Sequence, residues 1–135
     1  MLITYNCSVE RVFSLIEIHE QVRSRLQQMC TKRDGFYEDV EQIIVLSARA
    51  SPRGMLICEC KCVIKTFLPR EGDVCVARFE KYIKEKGVIC SYKQLQILVP
   101  SRYIESFEVK EFLRVKIEKL RYQVGTYRAV ATLLD

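Results

Sequence analysis

Three cysteines alternate with two charged residues in Cys58-Glu59-Cys60-Lys61-Cys62, and this is the densest cluster of reactive side chains in the chain. Alternate residues of a β-strand point to one face. The three thiols would therefore stand in a row, with Glu59 and Lys61 opposite. Structural zinc takes four ligands, commonly from paired C-x₂-C knuckles, and neither the pairing nor a suitable histidine is present. Free cysteine packs as a small hydrophobe, so the row is expected to fill a core, with no metal bound. His19 is the only histidine. A Ser-His-Asp triad would rest on it alone, beside Ile18 in a helical stretch where a surface or packing role is the simpler reading. No Gly-rich phosphate loop, HExxH or G-x-S-x-G motif occurs. Absence of these motifs lowers the case for an enzyme without excluding one, and no cofactor is expected.

A second chemistry is suggested by cations interleaved with tyrosines. Lys81, Lys84, Lys86, Lys93, Arg102, Lys116, Lys119, Arg121 and Arg128 alternate along the chain with Tyr82, Tyr92, Tyr103, Tyr122 and Tyr127. Single-stranded nucleic acids bind through such cations and stacked aromatic rings. A solvated charged surface with half-buried tyrosines fits the same residues. Glu80, Glu85, Glu105, Glu108, Glu111 and Glu118 dilute the field. The net charge is +5 over 135 residues, a mild excess beside the dense patch of a dedicated nucleic-acid binder.

The elements that must position these residues follow from spacing. Met1–Cys7 reads as a short strand, and Ser8 or Ser14 would cap a following helix. Leu15, Ile18, Val22, Leu26 and Met29 recur at helical spacing. Lys32 and Arg33 suit the helix C-terminus, and Gly35 suits its end. Val40–Leu46 and Met55–Phe67 read as strands around a loop at 47–54, broken by Pro52 and Gly54. Beyond residue 73, Val74–Ile83, Val88–Tyr92, Leu95–Pro100, Leu113–Leu120 and Thr126–Leu133 make five short strands, the pattern of an OB-fold barrel. Residues 101–111 form a polar connection.

Between the two halves lies Phe67-Leu68-Pro69-Arg70-Glu71-Gly72-Asp73-Val74. Phe67, Pro69 and Gly72 mark a domain junction, because Pro69 restrains the backbone and Gly72 relaxes it. This F-x-P-x-x-G-(D/E)-V segment resembles the junction in the larger stalk subunit of archaeal and eukaryotic DNA-directed RNA polymerases, the family of the seventh subunit of RNA polymerase II. Arg114-Val115-Lys116-Ile117-Glu118 is similar to that family's last but one strand. The order of elements agrees along nearly the whole chain.

The resemblance implies an α+β protein with two domains. Residues 1–70 would be a tip domain, a helix on an antiparallel sheet, that docks on the polymerase. Residues 71–135 would be a five-stranded OB-fold, S1-like RNA-binding barrel. Implied partners are the polymerase core, a smaller helical stalk subunit and nascent single-stranded RNA, with a role in initiation. The location would be the nucleus, or the cytoplasm or virion for a viral member. Candidate RNA contacts are Lys81, Lys84, Lys86, Lys93 and Tyr92. Candidate docking residues are Phe36, Tyr37, Ser51, Pro52, Arg53 and Gly54, taken as loop positions. The chain departs from the S1 pattern where Val88 follows Gly87, a place that often holds an aromatic residue. Ala77 likewise stands where a glycine is expected. It is also shorter than typical members after Pro100, a compaction that suits a reduced cellular genome or a large DNA virus.

Two rival functions remain. A free-standing OB-fold module would bind RNA without a polymerase. A small enzyme or cysteine–metal protein would need ligands or a catalytic group that the sequence does not supply. Seven cysteines, an odd count, and a start without a basic, apolar leader point to reduced thiols in a cytosolic or nuclear protein. No apolar run approaches the roughly 20 residues that span a bilayer.

Overall fold

A computed structural model describes residues 1–12, 15–27, 29–53, 55–100 and 111–134. The chain divides into two compact units, Met1–Leu68 and Pro69–Asp135. It is mostly β, with one helix among the described residues. Ser14, Gly54, Arg102, Tyr103, Glu105 and Glu108 lie outside those residues.

The first unit is a four-stranded sheet in the order β1-β4-β3-β2, built from β1 (Leu2–Val12), β2 (Cys30–Thr31), β3 (Gly35–Ala50) and β4 (Leu56–Phe67). Helix α1 (Leu15–Leu26) contributes Ile18, Val22 and Leu26, spaced by four, to the unit's buried core. Glu17 in its first turn and Arg23 and Arg25 in its last complement the helix dipole. Arg25 also donates to the Ser8 carbonyl at 2.6 Å. In the central strand β4, Cys58, Cys60, Cys62 and Ile64 are fully or almost fully buried, while Glu59, Lys61 and Lys65 are exposed. The thiol row is thus one face of the core, packed with Val9, Tyr37 and Val40. Cys7 on β1 brings its sulfur to 3.9 Å from that of Cys62.

Three local expectations are corrected here. Ser8 caps no helix; it pairs with Glu59 in the middle of β1. The helix ends at Leu26, so Gly35 does not terminate it and Lys32 and Arg33 do not cap it. These residues belong to the turn between β2 and β3, where the Asp34 amide donates to Thr31 Oγ1 at 3.0 Å. Ser47–Ala50 is strand, because each of these residues has a β4 partner between Glu59 and Leu56. Only the turn from Ser51 to Met55 remains, closed by a Ser51 amide to Met55 carbonyl bond of 2.7 Å.

The second unit is a closed barrel of five strands in the order β5-β6-β7-β9-β8, compatible with an OB-like barrel. Its strands are β5 (Val74–Ile83), β6 (Gly87–Tyr92), β7 (Leu95–Pro100), β8 (Phe112–Gln123) and β9 (Thr126–Leu134). Neighbours pair antiparallel except β7 with β9, which run parallel. Ala77, Val88, Cys90, Leu95, Ile97, Val99, Val115, Ile117 and Ala131 fill the interior. Bulges between Phe79 and Lys81 and between Ile117 and Lys119 bend β5 and β8. At each bulge sits a glutamate that accepts a neighbouring hydroxyl. Ser91 donates to Glu80 at 2.7 Å and Thr132 to Glu118 at 3.1 Å.

The junction residues divide between the units. Phe67 ends β4 and stacks on Phe36 with ring centroids 6.2 Å apart. Gly72, at φ +93°, donates its amide to the Ile117 carbonyl at 2.7 Å, and the Ile117 amide returns to Asp73 at 2.8 Å. The Asp73 carboxylate accepts the Arg70 amide at 3.0 Å and fixes the turn. The Pro-x-x-Gly-Asp run is therefore the start of the barrel.

Burial also sets the thiol chemistry. Desolvation first, then neighbouring Cys7, pushes Cys62 from an ordinary value of 9.0 up to about 12. Desolvation first, then Cys75 and Glu80, does the same for Cys90. Native protein therefore holds protons that the unfolded chain releases above pH 9. The stabilisation is fully present below pH 9 and is lost as pH rises towards 12. Its size is on the order of a few kcal/mol. The urea midpoint is expected to be flat from pH 7 to 8.5 and to fall by pH 10.5. Iodoacetamide at pH 8 should leave Cys62 and Cys90 unlabelled in folded protein; rapid native labelling of either would refute the assignment.

Candidate nucleic-acid interface

The barrel's exposed cations are held by turns whose geometry the sequence dictates. Lys84-Glu85-Lys86-Gly87 joins β5 to β6, with Glu85 at φ 69° and Gly87 at φ 136°. The Lys86 amide donates to the Ile83 carbonyl at 3.1 Å. Lys84 and Lys86 are exposed at this tip. Lys81 is exposed on β5, paired with Ile89. Among the described residues, no carboxylate lies within 4.0 Å of these three lysines.

Tyr92 and Lys93 lie at the other end of β6, about 17 Å from Gly87 at the usual rise per residue. Lys93 Nζ sits 5.6 Å from the centre of the Tyr92 ring, within cation–π range. The five residues predicted for RNA contact therefore form two separate groups. Lys81, Lys84 and Lys86 share one end, and Tyr92 and Lys93 share the other. Val88, which occupies the place of the S1 aromatic, is fully buried in the barrel. Its register partner is Tyr82, 52% exposed beside the lysine turn. Tyr82 is thus the exposed aromatic ring nearest in sequence to the lysine turn. It stood in the sequence among several tyrosines, with no signal to separate it from the rest.

Further cations gather elsewhere on the outside. Arg121 and Arg128 face each other as register partners across β8 and β9, and Lys119 pairs with Val130. Tyr122 and Tyr127 pair next to them, ring centroids 5.1 Å apart, but Tyr127 is largely buried.

The predicted docking residues also separate. Phe36 and Tyr37 are strand residues of β3, only 5% and 4% exposed, so they are core and not a loop surface. Burial pushes the Tyr37 hydroxyl above its ordinary value, with Asp34 adding to the effect. Ser51, Pro52 and Arg53 do lie in the turn between β3 and β4, where Pro52 and Arg53 are exposed. His19 is an exposed residue of α1. Among the described residues, no three His, Cys, Asp or Glu side chains are placed to hold a metal ion.

These features define a small β protein with a barrel unit and unneutralised cations around its outside. No model of a known protein family matches the chain, and no curated protein matches it in sequence.

Proposed function

We propose that the chain is a non-catalytic stalk subunit of a DNA-directed RNA polymerase. In this reading residues 1–68 are the tip domain that docks on the polymerase, through the Ser51–Arg53 turn. The barrel is an OB-fold of S1 type that touches emerging single-stranded RNA. The observation that carries the reading is the pairing of the two segments on which the resemblance rests. The Gly72-Asp73-Val74 end of the first lies hydrogen-bonded along Lys116 and Ile117 of the second, at the closure of a five-stranded barrel. The two segments that carry the resemblance thus meet where the barrel begins and closes.

The RNA contact belongs to Lys81, Lys84, Lys86 and Tyr82. Lysines meet phosphates as point charges and carry little base information, and an exposed tyrosine supplies a sequence-tolerant stacking face. Binding should be weak and salt-sensitive. Each phosphate contact removed should lower the salt slope by roughly 0.7, so Lys84→Ala/Lys86→Ala should lower it by about 1.4 on single-stranded RNA. Tyr82→Ala should weaken binding with little change in slope. The test of the whole reading is purification of the tagged chain from its source cells with mass spectrometry. Large polymerase subunits in stoichiometric amounts support the stalk assignment. RNA without polymerase would replace it with a free-standing RNA-binding module.

A further inference from the structure

A groove of about 620 Å³ runs over the outer face of β6, β7, β9 and β8. Cross-strand register lays its residues out in two rows. Ile89, Leu98, Val130 and Lys119 are successive partners in one row. Gln96, Arg128 and Arg121 are successive partners in the other, which is bordered on β6 by Ser91, whose hydroxyl donates to Glu80. The first row is a half-buried aliphatic floor ending in an ammonium group, and the second is polar and ends in two opposed guanidinium groups. The bulge after Ile117 produces this arrangement. Without it the alternation Leu113, Val115, Ile117 would carry Lys119 and Arg121 into the barrel.

Like charges directly opposite across a sheet destabilise it. Arg121 and Arg128 nevertheless face each other, and among the described residues no carboxylate lies within 4.0 Å of either or of Lys119. Such a pair is relieved by a ligand that brings its own negative charge. The floor decides which ligand. Among the described residues no aromatic ring lines the groove, so these residues offer a nucleic-acid base no stacking platform of the usual kind. Aliphatic floor beside a guanidinium pair matches carboxylates next to aliphatic side chains, with arginine able to grip a carboxylate by two parallel bonds.

We propose that this groove docks an acidic peptide segment of a protein partner, in which carboxylates neighbour leucine-like side chains. Arg121 and Arg128 take the carboxylates, and Leu98 and Val130 take the aliphatic groups. Gln96 can both donate to and accept from the peptide backbone. The proposal is independent of the polymerase assignment and of the lysine turn.

The probe is a fluorescent 12-residue peptide holding three Asp-Leu pairs spaced by serine, titrated with the full chain near 0.15 M salt. A matched peptide with serine for leucine and a 12-nucleotide oligo(U) serve as the other arms. The Asp-Leu peptide is expected to bind, to lose at least 10-fold with Arg121→Ala/Arg128→Ala, and to lose about 10-fold when its leucines become serine. Arg121→Glu should abolish peptide binding while raising the thermal midpoint by a few degrees, since it turns a like-charge pair into an opposite-charge one. That opposite sign separates a binding residue from a merely structural one. Failure of the Asp-Leu peptide to bind, or binding indifferent to the double variant, would overturn the proposal. So would arginine-dependent oligo(U) binding tighter than the peptide's, which would make the groove a nucleic-acid face.

Discussion

Gly35→Ala is expected to destabilise the first unit by about 3 kcal/mol or more, a large part of the stability a small domain has. Two costs combine. Gly35 sits at φ +80°, where a side chain meets the backbone of its own residue. A Cβ there would also strike the carbonyl oxygen of Phe67 and lie 2.7 Å from Leu68 Cα. These are backbone atoms at the end of β4, held by the Phe36–Phe67 register pair and the stacked rings. They cannot swing aside as a flexible side chain would. Gly72 and Gly125 provide the contrast: both have positive φ, at 93° and 73°, but a Cβ on either meets nothing within 4 Å. Alanine at those positions should cost only about 1–2 kcal/mol, the backbone share alone. Urea unfolding of the three variants checks the ranking. A Gly35→Ala midpoint no lower than that of Gly125→Ala would show that the steric contact is absent.

Gly35 also shows where the sequence was legible and where it was not. Its freedom was visible, but its position was not. A glycine after a helical repeat and two basic residues reads as a helix end, because local chemistry is identical for a helix stop and a hairpin turn. The decision is made by β4, which is distant in sequence. The same strand explains β1 and β3. Leu2–Val12 and Gly35–Ala50 are long because twelve residues of β4 offer both of them backbone partners, including stretches whose own propensity is weak. Alternation in the Cys58–Cys62 segment was fully legible, since a strand with one face in the core writes its period into the sequence. The five barrel strands were legible within a few residues for the same reason.

The outer surface was far less so. A bulge changes which face a side chain occupies without leaving a mark in composition. Past Ile117, strict alternation would bury Lys119 and Arg121; the extra residue Glu118 turns both outward and creates the cationic half of the groove. Phe36 and Tyr37 failed as surface residues because a turn signal immediately before them says nothing about the strand they begin. The cations and tyrosines were visible only as composition. Its grouping into the lysine turn with Tyr82, the Tyr92–Lys93 pair and the Arg121–Arg128 pair depends on register alone.

Ile97→Ala is expected to cost the barrel about 3 kcal/mol, within the range for isoleucine truncation at a fully buried site. Ile97 is completely buried on β7. Its strand joins β9 through only three register pairs, Gln96 with Arg128, Ile97 with Ala129 and Leu98 with Val130. The facing strand offers Ala129 and Ala131 to the interior, side chains too short to extend into the space that truncation would open. The void should therefore persist, and its cost should add to the lost transfer free energy. Ile97→Val, which removes one methylene, should cost about 1 kcal/mol. For a unit of this size 3 kcal/mol lowers the thermal midpoint by roughly 12 °C or more, and faster amide exchange should appear first in β7 and β9. A shift of under about 2 °C for Ile97→Ala would mean that the β7–β9 seam is not closed by this side chain. The same substitution bears on the groove, because Gln96 and Leu98 flank Ile97 on the opposite face of the strand. Loosening the seam should weaken the acidic peptide even with every groove residue intact, whereas Ile97→Val should leave its affinity unchanged.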